Sequence, residues 1–121
     1  MTTGEEYNGW ANRETWALNL WLNNDQGLYE MTRERVAQAL AEYVEDLDKF
    51  PGWANEDQAR ADWLARKAGE EIKVLYAELT DPDEMRLPAA EIIRMISDIG
   101  SDYRVNWDEI GKAWVEDVSN E

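Results

Sequence analysis

Apolar residues recur along this chain at the spacing of helix faces rather than of strands. Val36, Leu40, Tyr43, Val44 and Leu47 follow the i, i+4, i+7, i+8, i+11 series of one face, with Glu34, Glu42, Glu45 and Asp48 opposite. This predicts a helix over roughly 28–49, ended by Phe50-Pro51-Gly52. Asn55 and Gln58 have capping-box spacing and open a helix over about 56–79, whose inward stripe is Ala61, Leu64, Ala65, Ala68, Ile72, Leu75, Tyr76 and Leu79. The alanines in that stripe let a neighbouring helix approach closely. Trp63 falls about half a turn away and either packs on another element or sits at the surface. Asp81-Pro82-Asp83 marks a turn, and Pro88 suits the start of a fourth helix. Ile92, Met95, Ile96 and Ile99 line its apolar side, and Gly100 stops it. Asn106 and Glu109 repeat the capping-box spacing before a last helix over about 107–118, with Trp107, Ile110, Ala113, Trp114 and Val118 inward.

The first element is less clear-cut. Asn12 reads as an N-cap with Glu14 in the first turn, and Arg13–Asn23 carries apolar side chains nearly all round, as a buried helix does. The same run alternates as Trp16, Leu18, Leu20 and Leu22, so a buried strand is the competing reading. The cap and Ala17 favour helix. The expected fold is an all-α bundle of about five helices in a single domain over residues 1–121, with a leader at 1–8 and a tail at 119–121 expected to be flexible. A short strand pair, near 16–22 or 103–105, is the expected place of any departure.

Composition narrows the chemistry. The 121 residues include seven Trp, and an aromatic content this high argues for a packed core rather than acidic disorder. The absence of Cys removes disulfides, thiolate catalysis and zinc–sulfur sites, and the absence of His removes the commonest general base and metal ligand. Acidic residues outnumber basic ones 27 to 12, for a net charge of −15 spread along the chain rather than gathered in a tail. Direct binding to nucleic acid or to anionic membrane is disfavoured, since both require local positive charge. The N-terminus has no signal-peptide pattern, and no apolar run nears the roughly 20 residues of a membrane span, so a cytoplasmic location is expected.

Gly-Trp-Ala-Asn occurs at 9–12 and again at 52–55, before two predicted helices. The residues that follow do not match, so the repeat reads as two similar helix starts with Trp packing behind an Asn cap. The longer stretch Asn8-Gly9-Trp10-Ala11-Asn12-Arg13-Glu14-Thr15-Trp16, continuing through Leu20-Trp21-Leu22-Asn23-Asn24-Asp25-Gln26-Gly27-Leu28-Tyr29, resembles the signature of a family of small uncharacterised proteins encoded by bacteriophages, plasmids and some prokaryotic genomes. Val105-Asn106-Trp107-Asp108-Glu109-Ile110 with Trp114 resembles the end of such proteins. The resemblance implies a mobile-element setting and brings no activity, ligand or catalytic residue. Read physically, Asn12 caps a helix that Trp10, Trp16 and Trp21 anchor.

No catalytic constellation is visible. Asp81-Pro82-Asp83-Glu84 lacks the glycine and distal glutamate of a calcium loop, and phosphate-binding glycine loops and Gly-x-Ser-x-Gly are absent. No enzyme activity, cofactor or metal is expected. The leading reading is a protein-binding accessory protein, in its sharpest form a DNA mimic whose carboxylates fill the phosphate groove of a basic nucleic-acid-binding or defence protein. Averaged over a surface of this size, −15 gives one charge per about 450 Å². Duplex DNA carries one per about 110 Å², so mimicry requires clustering. The outer side of the second helix, Glu34, Glu42, Glu45, Asp46 and Asp48, is the candidate face, interrupted by Arg35 and Lys49. The competing reading is a helical adaptor or homodimer using exposed aromatics, Trp63 foremost, with acidity serving solubility alone.

Overall fold

A computed structural model describes residues 9–49, 57–81, 83–84 and 86–119. They form five helices: α1 (Arg13–Asn24), α2 (Gln26–Asp48), α3 (Asp57–Leu79), α4 (Ala89–Ile99) and α5 (Trp107–Ser119), with a 3-10 turn at Asp102–Arg104 before α5. Among the described residues there is no strand. The alternating run from Trp16 to Leu22 is helical, and residues 102–104 make the 3-10 turn. The expected flexible leader, the turn Phe50-Pro51-Gly52, the Asn55 cap and the last two residues lie outside the described residues, whereas Ser119 closes α5.

Helix starts follow from local hydrogen bonding. Asn12 sits in extended geometry, and its Oδ1 accepts from the Thr15 amide at 2.9 Å. Asp25 alone separates α1 from α2, and its carboxylate accepts from the Leu28 amide at 2.9 Å. A single extended residue with a capping carboxylate ends one helix and begins the next, so α2 starts two residues earlier than its apolar stripe suggests. At the end of α4, Gly100 has φ +85, a conformation L side chains rarely adopt, and its amide returns to the Ile96 carbonyl.

The core runs through the bundle as Leu18 and Leu22 of α1, Leu28 and Val36 of α2, Ile72, Leu75 and Leu79 of α3, Met95 and Ile99 of α4, and Ile110 and Trp114 of α5. Two expected inward positions face water instead. Ala61 is exposed, and Ile96 is 42% exposed. α4 packs chiefly on α1, and one neighbour covers only one side of a helix.

The tightest packing joins α3 to α5. Gly69 and Gly111 are both buried, and a Cβ on Gly111 would run into the Ala65 carbonyl oxygen and lie 2.5 Å from the Gly69 amide nitrogen. A Cβ on Gly69 would meet the Trp107 carbonyl group, its carbon 2.7 Å away. The two backbones touch without side chains between them. The alanines beside the crossing, Ala65 and Ala68, are buried too, but the glycines decide how close the helices come.

A second lock ties α1 to α5. Thr15, fully buried, donates its hydroxyl to Asn12 Oδ1 (2.7 Å) and accepts from the Asn106 amide (2.9 Å). Asn106 Oδ1 caps α5 at the Glu109 amide (3.2 Å), but the Glu109 carboxylate does not fold back in the expected capping box. It accepts from the Ala11 amide at 2.9 Å. Each helix start thus supplies a group that the other requires. Asn12 Nδ2 closes the set by donating to the Arg104 carbonyl at 2.7 Å.

Two substitutions test these locks. Gly111→Ala gains helix propensity but forces backbones apart, and overpacking of this kind costs about 2–3 kcal/mol; urea unfolding should show that loss. Thr15→Val keeps the shape and removes the hydroxyl, leaving the Asn106 amide unserved at a cost of about 1–2 kcal/mol. Equal urea midpoints for Thr15→Val and the parent chain would mean that the hydroxyl contributes nothing.

Candidate functional site

The outer side of α2 is built by residues the core leaves over. With Leu28, Thr32, Val36, Ala39 and Leu47 buried, Glu30, Glu34, Gln38, Glu42, Glu45 and Asp46 are exposed. At 100° per residue the four glutamates fall within about 120° of one another, and Glu30 to Glu45 spans about 22 Å of axis. The Asp48 side chain lies outside the described residues, and Glu30 adds a carboxylate that the apolar stripe used to read this helix did not reach.

The expected interruptions of this face prove unequal. Arg35 turns away from it, its Nη2 2.8 Å from Glu78 Oε1 on α3, and Arg86 approaches the same carboxylate at 3.2 Å. Arg33 likewise reaches Asp117 of α5. Lys49 stays local, its Nζ 3.9 Å from Asp46 Oδ1, so Asp46 is partly neutralised. The stripe of Glu30, Glu34, Glu42 and Glu45 then carries one charge per about 6–7 Å of helix axis, against one per 3.4 Å for a single DNA strand. The whole surface of 7481 Å² averages one net charge per about 500 Å². Clustering on α2 brings the charge density within about twofold of one strand.

The acidic field reaches the seam with α3. Tyr43 donates to Glu71 at 3.3 Å, and its phenol is pushed above the ordinary tyrosine range by burial first, then by the charges of Glu71, Glu70 and Glu42. The outer side of α3 is mixed in sign, because Lys67 lies 3.6 Å from Glu70 and Lys73 is exposed. The all-acid surface therefore does not continue across α3.

Trp63 is not a free aromatic anchor. Its ring meets Tyr43 edge-on at 5.4 Å and lies beneath the Lys67 ammonium at 5.5 Å, so it packs α3 against α2. One edge lines a cleft of about 750 Å³ between α3 and α5, together with Asp62, Arg66, Asp108 and Lys112. That cleft carries both signs of charge. Among the described residues, the large apolar side chains that do face water are Tyr103 (84% exposed), Ile93 (65%), Val74, Ile96 and Leu20.

A smaller groove of about 320 Å³ lies between α1 and the end of α4, lined by Leu20, Trp21, Asn24, Asp25 and Asp98. Trp21 Nε1 donates to Asp98 Oδ2 at 3.2 Å. Arg13 sits at the same end of α4 and donates to the carbonyls of Asp98 and Ile99. Among the described residues no group of three or more acidic side chains is arranged to hold a metal ion. No described helix is long and apolar enough to cross a membrane.

A family model matches residues 3–108, from before the first turn into the start of α5. The chain belongs to DUF7249, a family of unknown function. No curated protein and no solved structure matches it. The DUF7249 match takes in Asn12, Thr15 and Asn106, three members of the reciprocal cap between α1 and α5. The N-terminal signature residues thus have a structural task, which the capping and tryptophan pattern had suggested.

The Arg35–Glu78–Arg86 cluster carries a pH signature. The Arg35 guanidinium, assisted by Arg86, holds the Glu78 carboxyl below its ordinary value of 4.5, against the opposing effect of burial. A carboxyl depressed on folding stabilises the fold above its unfolded pKa and loses that contribution as pH falls through the folded one. Urea titrations from pH 6 to pH 3 should show the stability gap between the parent chain and Glu78→Gln closing as pH drops below about 4.5. A gap that stays constant with pH would mean that Glu78 is not depressed.

Proposed function

We propose that this DUF7249 protein is a cytoplasmic accessory protein of a phage or other mobile element that binds a basic protein through the acidic outer face of α2. The partner's chemistry is that of a nucleic-acid-binding or defence protein, and the face occupies its phosphate groove as a DNA mimic. The observation that carries the reading is the row Glu30, Glu34, Glu42 and Glu45, broken by neutral Gln38 but by no cation among the described residues, from which Arg35 is withdrawn to Glu78. The mobile-element setting rests on the resemblance of the Asn8–Trp16 segment. Neither catalysis, a cofactor, direct nucleic-acid contact nor membrane attachment belongs to this function.

Charge density sets the mode of binding. One α2 face matches about half of a single strand, so it engages the strongest part of a phosphate groove rather than all of it. A homodimer that placed two such faces side by side would approach the density of one strand, about half that of the duplex. The binding follows counterion release in reverse and weakens steeply with salt.

The test is a tagged pull-down from prokaryotic lysate at low and high salt, with and without competing duplex DNA. A basic nucleic-acid-binding protein should be retained at low salt, released by high salt and displaced by DNA. Surface charge pairs contribute about 1 kcal/mol each at contact in water. Glu34→Gln, Glu42→Gln and Glu45→Gln together should therefore weaken capture by about 100-fold. A partner that resists salt, ignores DNA and still binds this triple variant would reject mimicry and favour an apolar adaptor surface instead.

A further inference from the structure

We infer that the groove between α1 and α4 receives an arginine side chain of the basic partner. This rests on the proposed function and deepens it, because it assigns a second, specific contact to the same basic partner. The groove's volume of about 320 Å³ is at the small end of ligand pockets. It suits one long side chain and its flanking backbone better than a cofactor.

Charge complementarity chooses the occupant. Leu20, 39% exposed, and the Trp21 indole form the apolar part of the lining, while Asp25 and Asp98 supply carboxylates and Asn24 a neutral amide. No cation lines the groove among the described residues, and Arg13 directs its guanidinium to the backbone carbonyls of α4. Both carboxylates are already fixed in place. Asp25 Oδ1 caps α2, and Asp98 Oδ2 accepts from the Trp21 indole. Each therefore keeps a second oxygen for an incoming donor, with little ordering cost on binding.

Arginine fits better than lysine for three reasons. Its planar group stacks on an aromatic face, its five donors can serve two carboxylates and an amide at once, and it is less strongly hydrated than an ammonium. Its aliphatic stem also covers Leu20 as the charged end reaches the acids. Asp25 precedes Glu30 by about 7.5 Å of axis but lies about 140° round the helix from it, so the groove is a contact separate from the glutamate row.

The experiment follows the assigned Trp21 indole N–H by ¹⁵N NMR in the full chain during titration with an acetylated hexa-arginine peptide and, separately, its hexa-lysine counterpart. The arginine peptide should shift that resonance saturably and bind at least threefold more tightly than the lysine peptide. Asp25→Asn with Asp98→Asn keeps both the cap and the indole acceptor while removing both charges; it should weaken the arginine peptide about tenfold and abolish the shift. An unmoved Trp21 resonance, or a doubly substituted protein that responds like the parent, would overturn the assignment. The stripe variant separates the two ideas. If it loses the lysate partner while Trp21 ignores the peptide, the α2 reading stands and the groove falls. If it keeps the partner while Trp21 still responds to arginine in the parent and not in the Asn variant, the groove stands and the α2 reading falls.

Discussion

Where two helix backbones touch, their crossing point is fixed, and in this protein α3 and α5 touch at Gly69 and Gly111. Side chains between helices allow sliding and repacking, whereas carbonyl against amide allows very little. With that point set, the first turn of α5 has one position, and Asn106 and Glu109 with it. Thr15 and Ala11 then find their partners, so α1 is located at its start. From α1, Arg13 and Trp21 hold the end of α4 through Ile99, Asp98 and the core behind them. The groove between α1 and α4 is the last consequence of a contact made on the far side of α1.

Net charge works against this arrangement, because like charges favour expansion of a chain carrying −15. Three of the arginines are placed at the seams between elements. Arg33 joins α2 to α5, Arg35 joins α2 to α3, and Arg104 ties the 3-10 turn to Glu14 of α1. Each half-exposed pair contributes little alone. Together they lower repulsion where helices must approach.

Helix positions were largely legible because apolar periodicity and capping residues are local signals. Asn12, Asn106 and Gly100 act as the sequence pattern implied. The alanines of α3 imply a close approach by an unspecified neighbour; that the neighbour is α5, and that Gly69 and Gly111 permit the contact, is not legible from them. A glycine inside a helix reads as a weak position, and only the facing helix gives it a purpose. The capping box at Glu109 failed for a similar reason. Its second half is a local preference, and Thr15, 91 residues away along the chain, offered the Asn106 amide a buried partner instead. Ile96 belongs to the apolar stripe of α4, yet α1 is too narrow to cover the whole stripe. Of the candidate residues, Glu34, Glu42, Glu45 and Asp46 stand together on one exposed face, while Trp63 went to packing against Tyr43.

The placement of the cations also bears on what the acidity is for. A surface evolved only for solvation gains most from interspersed charges of both signs, which limit self-repulsion. α2 carries Arg33 and Arg35 within one turn of each other, and both could have met the glutamates of its own outer side. Both instead reach inward to neighbouring helices, to Asp117 and Glu78. The helix thereby spends its positive charge on cohesion and presents carboxylates outward. Such a division costs repulsion along the outer face in the free protein, which the proposed cationic partner would relieve. A face arranged in this way has more to gain from a basic partner than from water.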